Sequence, residues 1–228
     1  MEVAAGTMSF FFEKPAGFAY KSGQNADYTL INPPETDAEG TTRTFSFVSA
    51  PHEAEVEIAT RMRASAFKSV LGTMPLGTLV SFDGPMGSMT LQNDASRPAV
   101  FLAGGIGITP FVSMARCAAH EKLPHHIYLF YSNRRPADAP FLRELTDLQN
   151  ENHNFHLIAT MTQADEEAWD GETGYIDEKM LRKHLSDDLK APIYYLAGPP
   201  AMTTAMRGML NAAGLDDDYI KSEEFSGY

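Results

Sequence analysis

Phe101-Leu102-Ala103-Gly104-Gly105-Ile106-Gly107-Ile108-Thr109-Pro110 reads as a short apolar strand that runs into three glycines and then a proline. A strand with no polar interruption is buried on both faces, as in a parallel sheet covered by helices. Glycines permit a tight turn and let backbone N–H groups approach an anion closely. Pro110 suits the first turn of a helix, where its missing N–H would have had no partner. The stretch therefore predicts strand, turn and helix, with the helix from Phe111 pointing its positive end at a phosphate. A glycine turn that only packs strand against helix is the plainer reading of the same residues. The ordinary dinucleotide fingerprint fails, because Pro110 stands where its third glycine belongs and no strand ends in Asp or Glu about 20 residues on.

Downstream, strands and helices alternate. Strands are expected at Val100-Ala103, Ile127-Tyr131, Phe155-Thr160, Ile193-Ala197 and Tyr219-Glu223, and helices at Phe111-His120, Pro140-Asn150, Asp177-His184 and Ala201-Ala213. This alternation predicts an α/β domain with a doubly wound parallel sheet. A second turn, Gly198-Pro199-Pro200-Ala201-Met202, also joins an apolar strand to a helix, so two such loops lie along one sheet edge, where ligands of open parallel sheets bind.

Upstream, short β-rich runs at Ser9-Phe12, Tyr28-Ile31, Thr44-Ser49, Val56-Arg61 and Leu79-Phe82 are separated by Pro, Gly and Asn clusters. They predict a small antiparallel barrel, six-stranded in all. The polar segment Gln92-Arg97 is the expected hinge, dividing a β-barrel domain, residues 1–96, from an α/β domain, residues 97–228.

Composition narrows the function. With 228 residues and 43% hydrophobic content the chain can bury a sizeable core. A net charge of −12 with no basic cluster argues against nucleic acid as a partner. No apolar run approaches the roughly 20 residues needed to span a bilayer, so no membrane insertion and a cytoplasmic location are the expectations. The single Cys117 cannot supply the about four ligands of an iron–sulfur cluster or thiolate zinc site, so no metal is expected and any redox centre is organic. His153 and His156 face opposite sides of a strand, and the Ser113, Cys117 and His120 helix lacks a nucleophile elbow.

Taken in order, Arg43-Thr44-Phe45-Ser46, Gly105-x-Gly107-x-x-Pro110, Gly198-Pro199-Pro200-Ala201-Met202 and Glu223-Glu224-Phe225 resemble the motifs of the ferredoxin–NADP reductase superfamily over nearly the whole chain. The resemblance implies tightly bound FAD, with NADH or NADPH as hydride donor. Arg43 would pair with the FAD pyrophosphate, Phe45 would lie against one face of the flavin ring, and Ser46 would hydrogen-bond near its N5. It also implies cofactor contacts from Thr44 and from Ile58, Ala59, Thr60 and Arg61. The family's G-x-x-S element falls on Ser65, Ala66, Phe67 and Lys68, with Ser65 in the glycine's place and Lys68 in the serine's.

For the nicotinamide, the resemblance implies contacts from Gly105, Ile106, Gly107, Thr109 and Pro110, from Ser132 and Arg134, and from Gly198, Pro199 and Met202. Ala197 replaces a cysteine often found before the second turn. Met161-Thr162-Gln163 carries no arginine for a 2′-phosphate and acidic Asp165 to Glu167 follow, which favours NADH, while Arg134 and Arg135 keep NADPH as the alternative. Phe225 would be the aromatic lid over the flavin, with Tyr228 as the other candidate, and Glu223 would tune charge and protonation at the ring. The implied activity is a flavin-dependent oxidoreductase passing hydride from NAD(P)H to FAD N5 and electrons to an external acceptor: a ferredoxin, a haem or oxygenase partner, or a small oxidant. The rivals are a non-catalytic flavin-binding sensor or electron-transfer subunit, and a nucleotide-binding module without flavin.

Overall fold

A computed structural model describes residues 1–164, 168–185 and 187–225. Its first part holds β1 (Glu2–Ala4), β2 (Thr7–Glu13), β3 (Asn25–Leu30), β4 (Thr42–Ser46), β5 (Glu55–Arg61), helix α1 (Ala66–Thr73) and β6 (Val80–Met86). The six strands form two antiparallel three-stranded sheets, ordered β1-β2-β5 and β4-β3-β6. One core lies between them, because Ala26, Tyr28 and Leu30 of β3 and Val56 and Ile58 of β5 point inward at alternate positions. Beyond β4 the chain bonds to both sheets, Phe47 N to Gln24 O at 2.9 Å and Val48 N to Glu57 O at 2.8 Å, which curls them into a partly open barrel.

Helix α1 was not anticipated. It closes the barrel by burying Phe67, Val70 and Leu71, one face at helical spacing. Strand β1, three residues long, was missed as well, since its pairing with β2 rather than any pattern of its own defines it.

The second part is the expected parallel sheet. It comprises β7 (Ala99–Gly104), α2 (Thr109–His120), β8 (Ile127–Asn133), α3 (Leu142–Glu151), β9 (Phe155–Met161), β10 (Glu172–Thr173), α4 (Glu178–His184), β11 (Ile193–Gly198), α5 (Pro200–Ala212) and β12 (Ile220–Glu224). The strand order is β10-β9-β8-β7-β11-β12, and every pairing is parallel. Residues of β7 alternate between two cores. Ala99, Phe101 and Ala103 pack with α2 and α3, while Val100 and Leu102 pack with α4 and α5. The chain steps outward from β7 to β10 and then returns to β11 on the other side of β7. That reversal opens a crevice at the carboxyl ends of β7 and β11.

The two parts are firmly joined. Val48, Ala59 and Met89 belong to the same buried cluster as α2. Ser113 Oγ donates to Ser49 O at 2.7 Å, and Arg116 Nη1 reaches Glu57 Oε2 at 2.8 Å. The segment expected to be a hinge is pinned: Gln92 N donates to Tyr195 Oη at 2.8 Å, and Arg97 donates to the carbonyls of Lys190, Ala191 and Pro192. Among the described residues no helix is long and apolar enough to cross a membrane.

Candidate functional site

A cleft of about 550 Å³ lies where the barrel meets the switch point of the parallel sheet. Strand β4 forms one wall with Arg43, Thr44, Phe45 and Ser46, and the end of β5 adds Ala59, Thr60 and Arg61. Arg63, Ala64, Ser65 and Lys68 come from the approach to α1 and its first turn. The sheet contributes Ile106, Thr109 and Phe225. Residues from three of the four ordered motifs, Arg43 to Ser46, Ile106 with Thr109, and Phe225, thus share one cavity, whereas Gly198 to Met202 do not line it.

Its charge is opposite to that of the chain. Arg43, Arg61, Arg63 and Lys68 line it against the one carboxylate of Glu39, in a protein of net charge −12. Burial, followed by the positive charge of Arg63 and then Arg43, holds the Lys68 ammonium below its ordinary pKa. Only Arg43 of the four has carboxylates within ion-pair distance among the described residues, Asp37 at 3.1 Å and Glu39 at 2.9 Å. Several polar atoms here are buried without a partner: Ser46 Oγ, Ser65 Oγ, Arg61 Nε and, next to the cleft, Glu223 Oε2. Unmet donors and crowded cations in one cleft are what an anionic, hydrogen-bonding ligand satisfies.

Glu223 arrives on β12, in register with Ala197 of β11. Strand alternation turns it toward the barrel, where Asn25 Nδ2 donates to its Oε1 at 2.8 Å, and turns Glu224 the other way, toward Thr203 of α5. Burial raises the Glu223 carboxyl above its usual range, opposed by Asn25 and by Ser46 Oγ, which faces it without reaching bonding geometry. Asn25 carried no motif and was missed; only its partner 198 residues away identifies it.

The structure sorts the other predicted residues. Ile58 is fully buried in the barrel core and Phe67 nearly so, at 2% exposure, so neither side chain reaches the cleft. Phe67 instead supports Phe45, with ring centroids 5.8 Å apart, and lies under the Arg43 guanidinium. The glycines act first on packing. A Cβ on Gly107 would meet Ala197 O at 2.4 Å, and one on Gly104 would meet Met202 Sδ at 2.4 Å, so the two turns interlock directly. Gly105 takes a left-handed φ of 52° and starts a 3₁₀ turn, Gly105–Ile108, that runs straight into α2. The helical path therefore begins before Phe111, at the glycines themselves.

Ser132 pairs with Gly104 across the sheet, and Pro199 caps α5 with its carbonyl accepting from Met202 N and Thr203 N. Arg134 is exposed beside the Thr162–Gln163 turn, whose amides donate to Asn133 O and Arg134 O, while Arg135 is held by Asp138 at 3.0 Å. Tyr228 and the acidic run Asp165 to Glu167 lie outside the described residues. Phe225 is placed: its N–H donates to Gly198 O at 3.2 Å and its ring packs beside the cleft. Among the described residues no group of three His, Cys, Asp or Glu side chains is arranged to hold a metal.

Residues 101–208 match the oxidoreductase NAD-binding domain family. The chain is 28% identical over 201 residues to the anthranilate 1,2-dioxygenase electron transfer component of Acinetobacter baylyi, an alignment covering 87% of this chain and 57% of that protein. It therefore spans little more than half the length of that relative. Among solved structures, the FAD/NAD-binding domain of a nitric oxide dioxygenase from Vibrio cholerae superposes with a TM-score of 0.84 at 20% identity, covering 98% of this chain and 94% of that one. A ferredoxin NADP+ reductase from Neisseria gonorrhoeae with bound FAD and NADP gives 0.78 at 20% identity, covering 96% and 92%.

Proposed function

We propose that the chain is a member of the ferredoxin–NADP reductase superfamily, an FAD-dependent oxidoreductase that takes hydride from a nicotinamide dinucleotide and delivers electrons to an external acceptor, a protein in the favoured case. The observation that carries this reading is the cleft itself: four cations and several orphaned polar atoms gathered between barrel and switch point in an acidic chain.

The residues fit FAD. Phe45 offers a ring face, Ser46 Oγ and Glu223 Oε2 are unmet polar atoms at one end, and Arg43, Arg61, Arg63, Ser65 and Lys68 gather donors at the other. In this division residues 1–96 hold the flavin and residues 97–228 the nicotinamide. When bound, the flavin supplies hydride acceptance from one substrate and electron release to another. The protein's own work is orientation and charge. The interlocked turns at Gly107 and Gly198 present a rigid floor at the sheet edge, Phe225 covers the cleft, and a carboxyl of raised pKa at Glu223 can hold a proton near the reacting atoms.

We assign NADH as the preferred donor. Thr162 and Gln163 offer no cation to a 2′-phosphate, and the nearby Arg135 is engaged by Asp138. Arg134 is the residue that would carry NADPH binding if that assignment were wrong.

The test is an anaerobic titration of the FAD-loaded protein with NADH and, separately, NADPH, following bleaching of the visible flavin bands. Rapid bleaching by NADH supports the reading. A yellow protein bleached by neither would favour a flavin-binding sensor, and a colourless one that takes up no FAD would exclude a flavoprotein.

A further inference from the structure

The point where the cleft's donors converge already holds an anion. Asp37 sits in the 11-residue connection between β3 and β4, residues 31–41. Its Oδ1 accepts from Arg43 Nη2 at 3.1 Å, and its Oδ2 accepts from the backbone N–H of Ala66 at 2.9 Å. Ala66 is the first residue of the eight-residue helix α1, so the carboxylate rests on the positive end of that helix. The ordinary cap is missing: Ser65, at the N-cap, makes no side-chain capping bond, and its Oγ is buried without a partner. A residue 29 positions upstream has taken over the cap. Glu39 reinforces the arrangement through its own ion pair with Arg43, while Arg63 and Lys68 beside it have no carboxylate at ion-pair distance among the described residues. Ser46, 3% exposed, turns another unpartnered hydroxyl to the same cleft.

We propose that Asp37 is a built-in competitor for the phosphate seat of this cleft, so that a dinucleotide flavin binds only by displacing its carboxylate from Arg43 and the Ala66 amide. The inference rests on the reading that Arg43 receives the flavin pyrophosphate. A phosphate oxygen and a carboxylate oxygen need the same donors, and two anions cannot share them. The connection over residues 31–41 is then a strap whose release accompanies FAD binding, and Asp37 lowers affinity for the phosphate-bearing end of the ligand alone. The ring end, at Phe45 and Ser46, is unaffected. FAD affinity is thereby set by the population in which the strap is lifted.

The experiment compares FAD with riboflavin, which carries the same ring and no phosphate. Dissociation constants are measured by flavin fluorescence for the parent, Asp37→Asn, Asp37→Ala and Arg43→Ala proteins at low salt. Asp37→Asn keeps an oxygen for the Ala66 N–H and removes the charge, so it guards against mere unfolding of α1. Both Asp37 variants are expected to bind FAD roughly five- to tenfold more tightly while riboflavin affinity stays unchanged. FAD affinity unchanged or weakened in Asp37→Asn, with Arg43→Ala weakening FAD, overturns the proposal and leaves the pyrophosphate reading intact. FAD affinity indifferent to Arg43→Ala overturns both. An equal gain for FAD and riboflavin also sinks the proposal, because the effect would not act through phosphate.

Discussion

Asn25 Nδ2 donates to Glu223 Oε1 at 2.8 Å, joining the barrel's third strand to the last strand of the parallel sheet across 198 residues of sequence. The bond fixes one carboxylate oxygen and leaves the other, Oε2, buried without a partner. A carboxyl held this way prefers its proton, and burial is the main cause of its raised pKa.

That preference sets the sign of a pH effect. Between the ordinary carboxylate pKa and the raised folded value, the native state binds more protons than the unfolded one, so Glu223 makes stability fall as pH rises through that window. Glu223→Gln should therefore melt at a higher temperature than the parent at pH 7 to 8, with the difference closing below the ordinary carboxylate range. Thermal unfolding of both proteins across pH checks this; a difference that does not vary with pH would refute it.

Arg116 is a half-buried clamp between barrel and sheet. Its guanidinium meets Glu57 at 2.8 Å, Glu144 at 2.6 Å and Glu53 at 3.3 Å, and the Glu57 side chain is only 5% exposed. Removing the arginine strands the Glu57 charge, so Arg116→Ala should cost about 3–5 kcal/mol in urea unfolding. Adding Glu57→Gln should recover part of that loss, and a double-mutant cycle with no recovery would show that the charge of Glu57 is not what suffers.

Two glycines should respond oppositely to the same substitution. A Cβ on Gly107 would press on backbone atoms of Ala197 and Gly198 at 2.4–2.7 Å, whereas one on Gly208 meets nothing within 4 Å. Gly107→Ala should destabilise by roughly 2–3 kcal/mol, because backbone on both sides cannot yield. Gly208→Ala, inside α5, should stabilise by about 0.5–1 kcal/mol. Denaturant melts of the two variants give the comparison.

Phe225 lines the cleft, and in the proposed reading it must yield if a nicotinamide is to reach the flavin. Phe225→Ala should lower the apparent dissociation constant for the nicotinamide roughly tenfold by removing the closed population, while the backbone bond from residue 225 to Gly198 O survives. Unchanged binding of both NADH and NADPH would move the lid role to Tyr228.

Much of this architecture is written locally. The alternation of apolar strands with helices after Pro98, and the glycine turns closing two of those strands, follow from burial on both sheet faces and from the conformational freedom of glycine. Helix α1 was less legible, since its three buried residues match a helix only once the barrel supplies a surface for them to cover. The resemblance implies ligand contacts at Ile58 and Phe67, yet strand and helix periodicity turns both side chains into the barrel core.

By itself, then, the sequence determined the two-part α/β and β architecture, the two turns at the sheet edge and the motif residues of the cleft, because each depends on short-range pattern and residue chemistry. Tertiary structure alone decided which charges meet. Asp37 reaches Arg43 and Ala66, Asn25 reaches Glu223, and Gly107 abuts Ala197, contacts that depend on how separate elements pack rather than on any spacing along the chain.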